Sequence, residues 1–106
     1  INYLKSIKYV ELDTIVYFKA DGAYTDIYME DGTLLKTSKG LKYYQDILNH
    51  NEDLCRIHMS YYVNLNFVSE LIHTYGGYLV LQNEHIIPIS AEKLVELNLK
   101  LDNYLM

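Results

Sequence analysis

A chain of 106 residues, half of them hydrophobic, has the length of one domain with its own core, and its composition excludes intrinsic disorder. The formal charge of −5 and pI near 5.2 argue against a nucleic-acid binder on average, so such a role would need positive charge gathered locally. No apolar run approaches the ~18 residues that span a bilayer, which sets membrane partners aside.

The start, INYLKS, has no initiator Met and no signal-peptide pattern, so residues 1–106 are expected to be a single domain cut from a longer protein, with another domain before Ile1. One cysteine, Cys55, cannot form an internal disulfide and fits a reducing, cytoplasmic setting. Twelve tyrosines and no tryptophan favour strands and half-wet surfaces.

In chain order, NYLKSIKYV at 2–10 suggests one or two short strands, and ELDT at 11–14 a turn. TIVYFKA at 14–20 is β-branched and aromatic, as in a strand buried on both faces. Asp21-Gly22 is a hairpin signal. AYTDIYME at 23–30 then returns, with Tyr24, Asp26 and Tyr28 on one face and Thr25, Ile27 and Met29 on the other. A second Asp-Gly at 31–32 leads into TLLKT at 33–37, completing a three-strand meander. Leu41, Tyr44 and Leu48 recur at helical spacing, predicting a helix over 39–48 with Ser38 as N-cap.

NHNED at 49–53 is a polar loop. CRIHMSYYVN is expected to be a strand, joined through a tight Asn64-Leu65-Asn66 connection to a second strand in FVSELIHTY. Gly76-Gly77 turns the chain into YLVLQ at 78–82, and HIIPI at 85–89 follows as a last strand. Pro88 cannot donate a ladder bond and places that strand at an edge. Ser90 is suited to cap a closing helix, AEKLVELNLKL, with Leu94, Leu97 and Leu101 on one face. The fold class is mainly β with two short α-helices.

Enzymatic chemistry has no support in the sequence. Neither GxxxxGK[ST] nor GxGxxG occurs, nor a CxxC or HExxH pair, and the histidines are scattered at 50, 58, 73 and 85. No cofactor or metal is expected.

Four segments in order carry a resemblance. RIHMSYYVN at 56–64 resembles the signature of the LytTR family, DNA-binding domains usually attached to bacterial response regulators: Arg, apolar, His, Arg, Ser, aromatic, apolar, Val, Asn. TIVYFKADGAYTDIYMEDG is similar to the family's opening strands, SKGLKYYQDIL to the helix before the signature, and IPIS to its close before the last helix. The resemblance covers nearly the whole chain. It implies an elongated, mostly antiparallel β fold that grips DNA with loops entering two successive major grooves. It implies short direct repeats of double-stranded DNA, bound by two protomers once an upstream receiver domain, phosphorylated by a sensor histidine kinase, dimerises.

The resemblance also implies contact residues. The first hairpin would offer Asp21, Gly22, Ala23, Tyr24 and Thr25 to a groove. The turn after the signature would offer Asn64 and Asn66, and an asparagine amide can pair with adenine N6 and N7. The last helix start would offer Ser90, Ala91 and Lys93. Lys36, Lys39 and Lys42 would reach phosphates, which fix register without reading sequence. Arg56 is a further phosphate candidate, although a lone arginine beside core positions also suits a structural role, as does His58.

Two positions depart from the family pattern: Met59 stands where a basic residue is usual, and Ala91, followed by Glu92, where Arg or Lys is common. Phosphate neutralisation supplies much of a DNA binder's affinity, so weak binding by the isolated domain is expected, strengthened by pairing of two copies. The alternative is a degenerate member of the family that serves as a protein–protein interaction module without strong DNA binding.

Overall fold

The computed structural model describes residues 2–3 and 6–104. The expected strands in 2–10 are a two-residue pair, β1 (Asn2–Tyr3) and β2 (Ser6–Ile7), with positions 4 and 5 outside the described residues. A single 3₁₀ turn at Leu12–Thr14 fills the expected turn.

The body is a five-stranded antiparallel sheet in the order β5-β4-β3-β7-β6. Its strands are β3 (Ile15–Asp21), β4 (Tyr24–Met29), β5 (Leu34–Thr37), β6 (Leu54–His58) and β7 (Tyr61–Asn64). Helix α1 (Leu41–Asn49) connects β5 to β6. A three-stranded sheet, β10-β9-β8, follows from β8 (Val68–Ile72), β9 (Tyr78–Leu81) and β10 (Ile86–Pro88). Helix α2 (Ala91–Tyr104) closes the chain. Pro88 lies on the edge strand, where its missing N–H costs no ladder bond.

Burial on both faces of β3 explains its apolar run. Ile15 and Phe18 join Ile27, Leu35, Leu54 and Tyr62 in a cluster closed by Leu41, Tyr44 and Leu48 of α1. Val16, Tyr17, Ile57 and Val63 meet Val68, Leu79, Leu81, Ile87, Leu97 and Leu101 of the smaller sheet and α2. Thus α1 covers one face of the large sheet, and the small sheet with α2 covers part of the other. A register irregularity between Ile15 and Tyr17 lets neighbouring residues of β3 serve the same cluster. The domain is elongated, 41 × 25 × 24 Å.

Two sequence expectations are corrected. Helix α1 starts at Leu41 with Gly40 in the N-cap position and no side-chain cap, so Ser38 does not cap it. The hydroxyls of Thr25 and Thr37 both donate to the Lys39 carbonyl, at 2.8 and 3.1 Å, and fix the approach to the helix instead. More consequential, the signature is two strands. It folds back on itself at Met59-Ser60, so β6 and β7 form a hairpin within the motif.

Candidate nucleic-acid interface

The turn inside the signature is held by side chains from the motif itself. The Arg56 guanidinium donates to the carbonyls of Met59 at 2.7 Å and His58 at 3.4 Å, and lies 5.3 Å over the Tyr62 ring. His58 Nδ1 accepts the Ser60 N–H at 3.1 Å. The Ser60 carbonyl then accepts the Ala20 N–H at 2.8 Å, tying the turn to β3. A register shift between Arg56 and His58 sends Arg56 to Tyr62, on the α1 side, and His58 to Tyr61, on the other. The two therefore do not share a strand face, as plain alternation would require. What they display is Met59, 77 % exposed at the tip.

The β3–β4 turn lies at the same end of the sheet. Asp21 pairs with Tyr24, leaving Gly22 and Ala23 as a two-residue loop. Gly22 alone of the two has positive φ, 57°, the pattern of a II′ turn whose twist suits a hairpin. Tyr24 is 47 % exposed beside it. The end of β5 and the start of α1 complete this region, where the Ala23 carbonyl lies beside Gly40. The Ser90 N–H donates to the Ile57 carbonyl at 2.8 Å, so α2 also begins here, against β6.

This end gathers most of the chain's cations: Lys19, Lys36, Lys39, Lys42, Arg56 and Lys93 lie at or next to the strand ends and helix starts that meet here, with Asp21, Asp26 and Glu92 as the acids in the same stretches. The opposite end of the same sheet carries Glu11, Asp13, Glu30, Asp31, Glu52 and Asp53 in its turns. The net negative charge is thus an average over a polarised domain. Besides Arg56, Lys36 is committed internally. Lys36 bridges Asp21 and Asp26, the latter at 2.7 Å, which holds the ammonium pKa above its usual value and the Asp21 carboxyl below its own. Lys39 leans over the Tyr43 ring at 5.3 Å, from an exposed position.

Of the expected contact residues, Asp21, Tyr24, Lys39, Lys42, Arg56, Ser90 and Lys93 belong to this end. Thr25 does as well but is wholly buried, its hydroxyl committed to Lys39, so it is removed from the candidate surface. Asn64 is the main correction. It lies at the far end of β7, 1 % exposed, and its amide donates to the Ile15 carbonyl at 3.0 Å while its oxygen accepts the Asn66 N–H at 3.0 Å. A carboxamide with both ends engaged inside the protein cannot pair with adenine. Asn66 is exposed but sits at that same far end, its carbonyl accepting from Gln82 at 3.2 Å. The exposed tip residue is instead Met59, noted in the sequence only as an absent cation; Ser60 is the one turn-favouring residue beside it, too weak a signal to break the strand pattern.

Elsewhere, Tyr17 stacks on Tyr28 at 4.3 Å and shares a 2.7 Å hydrogen bond with His85, linking the two sheets; burial raises the Tyr17 phenol pKa. Burial likewise pushes the Cys55 thiol up, away from the reactive thiolate. Among the described residues no cluster of His, Cys, Asp and Glu is arranged to hold a metal, and no helix is long and apolar enough to cross a membrane.

By architecture this is a mostly antiparallel β domain with two helices and one cationic end. The chain belongs to the LytTr DNA-binding domain family, whose model matches residues 5–102. A solved structure from Bacillus cereus, described as the LytTr DNA-binding domain of a protein assigned as a methyl-accepting/DNA response regulator, shares the fold: TM-score 0.77 and 19% identity over 94% of this chain and 92% of that one. No curated protein sequence matches.

Proposed function

We propose that this domain binds double-stranded DNA in a sequence-specific manner through its cationic end and regulates transcription as the output domain of a two-component response regulator. The hairpin tips at Asp21–Tyr24 and Met59-Ser60 and the start of α2 enter successive major grooves, with Lys39, Lys42 and Lys93 on flanking phosphates. A receiver domain outside this chain, phosphorylated by a sensor histidine kinase, brings two copies onto a direct repeat, where linkage multiplies two weak affinities by roughly 10²–10⁴. The observation that carries this reading is the segregation of charge. Cations collect where two hairpins and a helix start converge, while acids occupy the other end, an arrangement that orients the domain in the field of a polyanion.

The test is selection of duplexes from a random pool by the 106-residue chain at ~50 mM salt, followed by titration of the enriched sequence as salt rises. Enrichment of a motif, with affinity falling along a log–log slope of about −0.9 per phosphate contact, is the expected result. Failure to retain any duplex at low salt would sink it.

One observation favours a second reading, a protein–protein module with little DNA affinity. Lys36 is held between two carboxylates at the very edge that needs free cations. Under that reading the same end takes an acidic partner protein, and no duplex is enriched.

A further inference from the structure

Met59 stands out at the cationic end. A hairpin tip usually carries a small polar residue that satisfies its own backbone. Here that work is done by neighbours, Arg56 and His58, and the tip position itself is a thioether facing solvent. The turn is fixed at both sides, by Arg56 within the hairpin and by the Ala20–Ser60 bond to β3, so Met59 is presented on a rigid support. Ala23 and Tyr24 on the adjacent tip and Ala91 at the start of α2 are exposed too. These exposed apolar side chains share one end of the domain with Lys39, Lys42 and Lys93, so Met59 is displayed where the cations collect.

A thioether offers no useful donor to guanine or adenine edges. The apolar feature of a major groove is the C5-methyl of a pyrimidine. We infer that Met59 reads a pyrimidine C5-methyl, that of thymine, so that this domain selects its site at that base pair by methyl contact where a hydrogen-bonding side chain would read a purine. The inference rests on the DNA-binding reading above and deepens it. The cations supply attraction and register; the methionine supplies discrimination, and its flexible side chain adapts to a methyl group better than a branched one.

The experiment starts from the duplex enriched by the 106-residue chain. Each thymine is replaced in turn by uracil, which keeps every hydrogen-bonding edge and deletes only the methyl; each cytosine is replaced in turn by 5-methylcytosine. The expected result is a loss of about fourfold in affinity at one or two thymines, the transfer value of one methyl, ~0.8 kcal/mol at 1.4 kcal/mol per tenfold. Met59→Ala abolishes that penalty and Met59→Leu keeps it. Because Met59 is exposed, both variants are expected to melt with the wild type, which circular dichroism verifies. A gain at 5-methylcytosine with no loss at uracil would reassign the contact and overturn the thymine assignment. Tight binding that is indifferent to every substitution, or a uracil penalty that persists in Met59→Ala, overturns the inference while leaving DNA binding intact. Absence of any enriched duplex removes both.

Discussion

The two ends of the large sheet are made by the same strands and differ in almost everything a ligand would meet. At one end two tips project, most cations collect, and Met59 and Tyr24 face solvent. At the other, acids line the turns and the polar side chain of Asn64 is turned inward to hold Ile15 and Asn66. Ser60 and Asn64 bound β7 and its preceding turn, about 13 Å apart along the strand. The lesson is that side-chain chemistry and burial rank these positions in opposite orders. Asparagine is the better base reader in principle, but here it is a fold element, and the residue that reads chemically as a deficit occupies the tip.

The strongest way to break that comparison is Asn64→Ala. It removes the buried bond to the Ile15 carbonyl and the part-buried bond from the Asn66 N–H and opens a small void, so a stability loss of about 2–3 kcal/mol is expected in urea unfolding. Affinity measured well below the transition is expected to stay within about twofold. A variant that unfolds normally yet loses specific binding would restore Asn64 to the interface.

Arg56, at the cationic end, has two possible uses, since its charge suits a phosphate and its geometry suits the turn. Arg56→Lys separates the two. It keeps the charge but lacks the planar fork that reaches two carbonyls and stacks on Tyr62. Stability is expected to fall by about 1–2 kcal/mol, near the value of a charged hydrogen bond with its ring contact. The salt slope of DNA binding is expected to stay unchanged. A variant as stable as the wild type would make the turn contacts incidental.

Much of the fold was legible because its signals are local. Two Asp-Gly steps mark two hairpin turns, the apolar spacing of Leu41, Tyr44 and Leu48 marks a buried helix face, and Pro88 marks an edge. The signature was misjudged for a nonlocal reason. RIHMSYYVN has no glycine or Asn-Gly to announce a turn, since its reversal at Met59-Ser60 is stabilised by Arg56 and His58, two side chains outside the turn proper. Treating it as one strand moved the tip to Asn64. The burial of Thr25 was hidden likewise, because its partner is the Lys39 carbonyl, fourteen residues on. Charge segregation could not be seen in a linear count, as the cations come from separate elements that only the strand order brings together.

Met59→Arg sharpens the comparison at the exposed end. It adds a cation at the tip without disturbing the bonds that hold the turn, which are made by backbone atoms of Met59 and Ser60. Overall affinity at low salt is expected to rise severalfold, with the log–log salt slope steepening by about 0.9, one phosphate's worth. Discrimination among sequences is expected to fall or move to guanine. An unchanged slope would place the tip away from the DNA backbone and bases alike.

The smallest expected effect is at Asp21, where the cationic end restrains itself. Lys36 is bonded to Asp21 and Asp26, so part of its charge is unavailable to a polyanion. Asp21 titrates below its ordinary value in the folded protein because of that lysine. The pair therefore contributes stability above the unfolded carboxyl pKa of ~3.9, and the contribution is lost as pH falls through the lower folded value. Lys36, raised, shows the mirror image: its share is present below ~10.4 and is lost as pH rises through the higher folded value. Both groups are exposed, so the consequence for stability is slight. Asp21→Asn is expected to leave melting near neutral pH almost unchanged and to flatten the acid limb of the stability profile. DNA affinity at ~50 mM salt is expected to rise about two- to threefold, with the gain fading as salt screens the surface. Weaker binding by Asp21→Asn would mean that the carboxylate serves the complex, either by aiming Lys36 or by accepting a cytosine amino group, and that the acid at this end belongs to the reading surface.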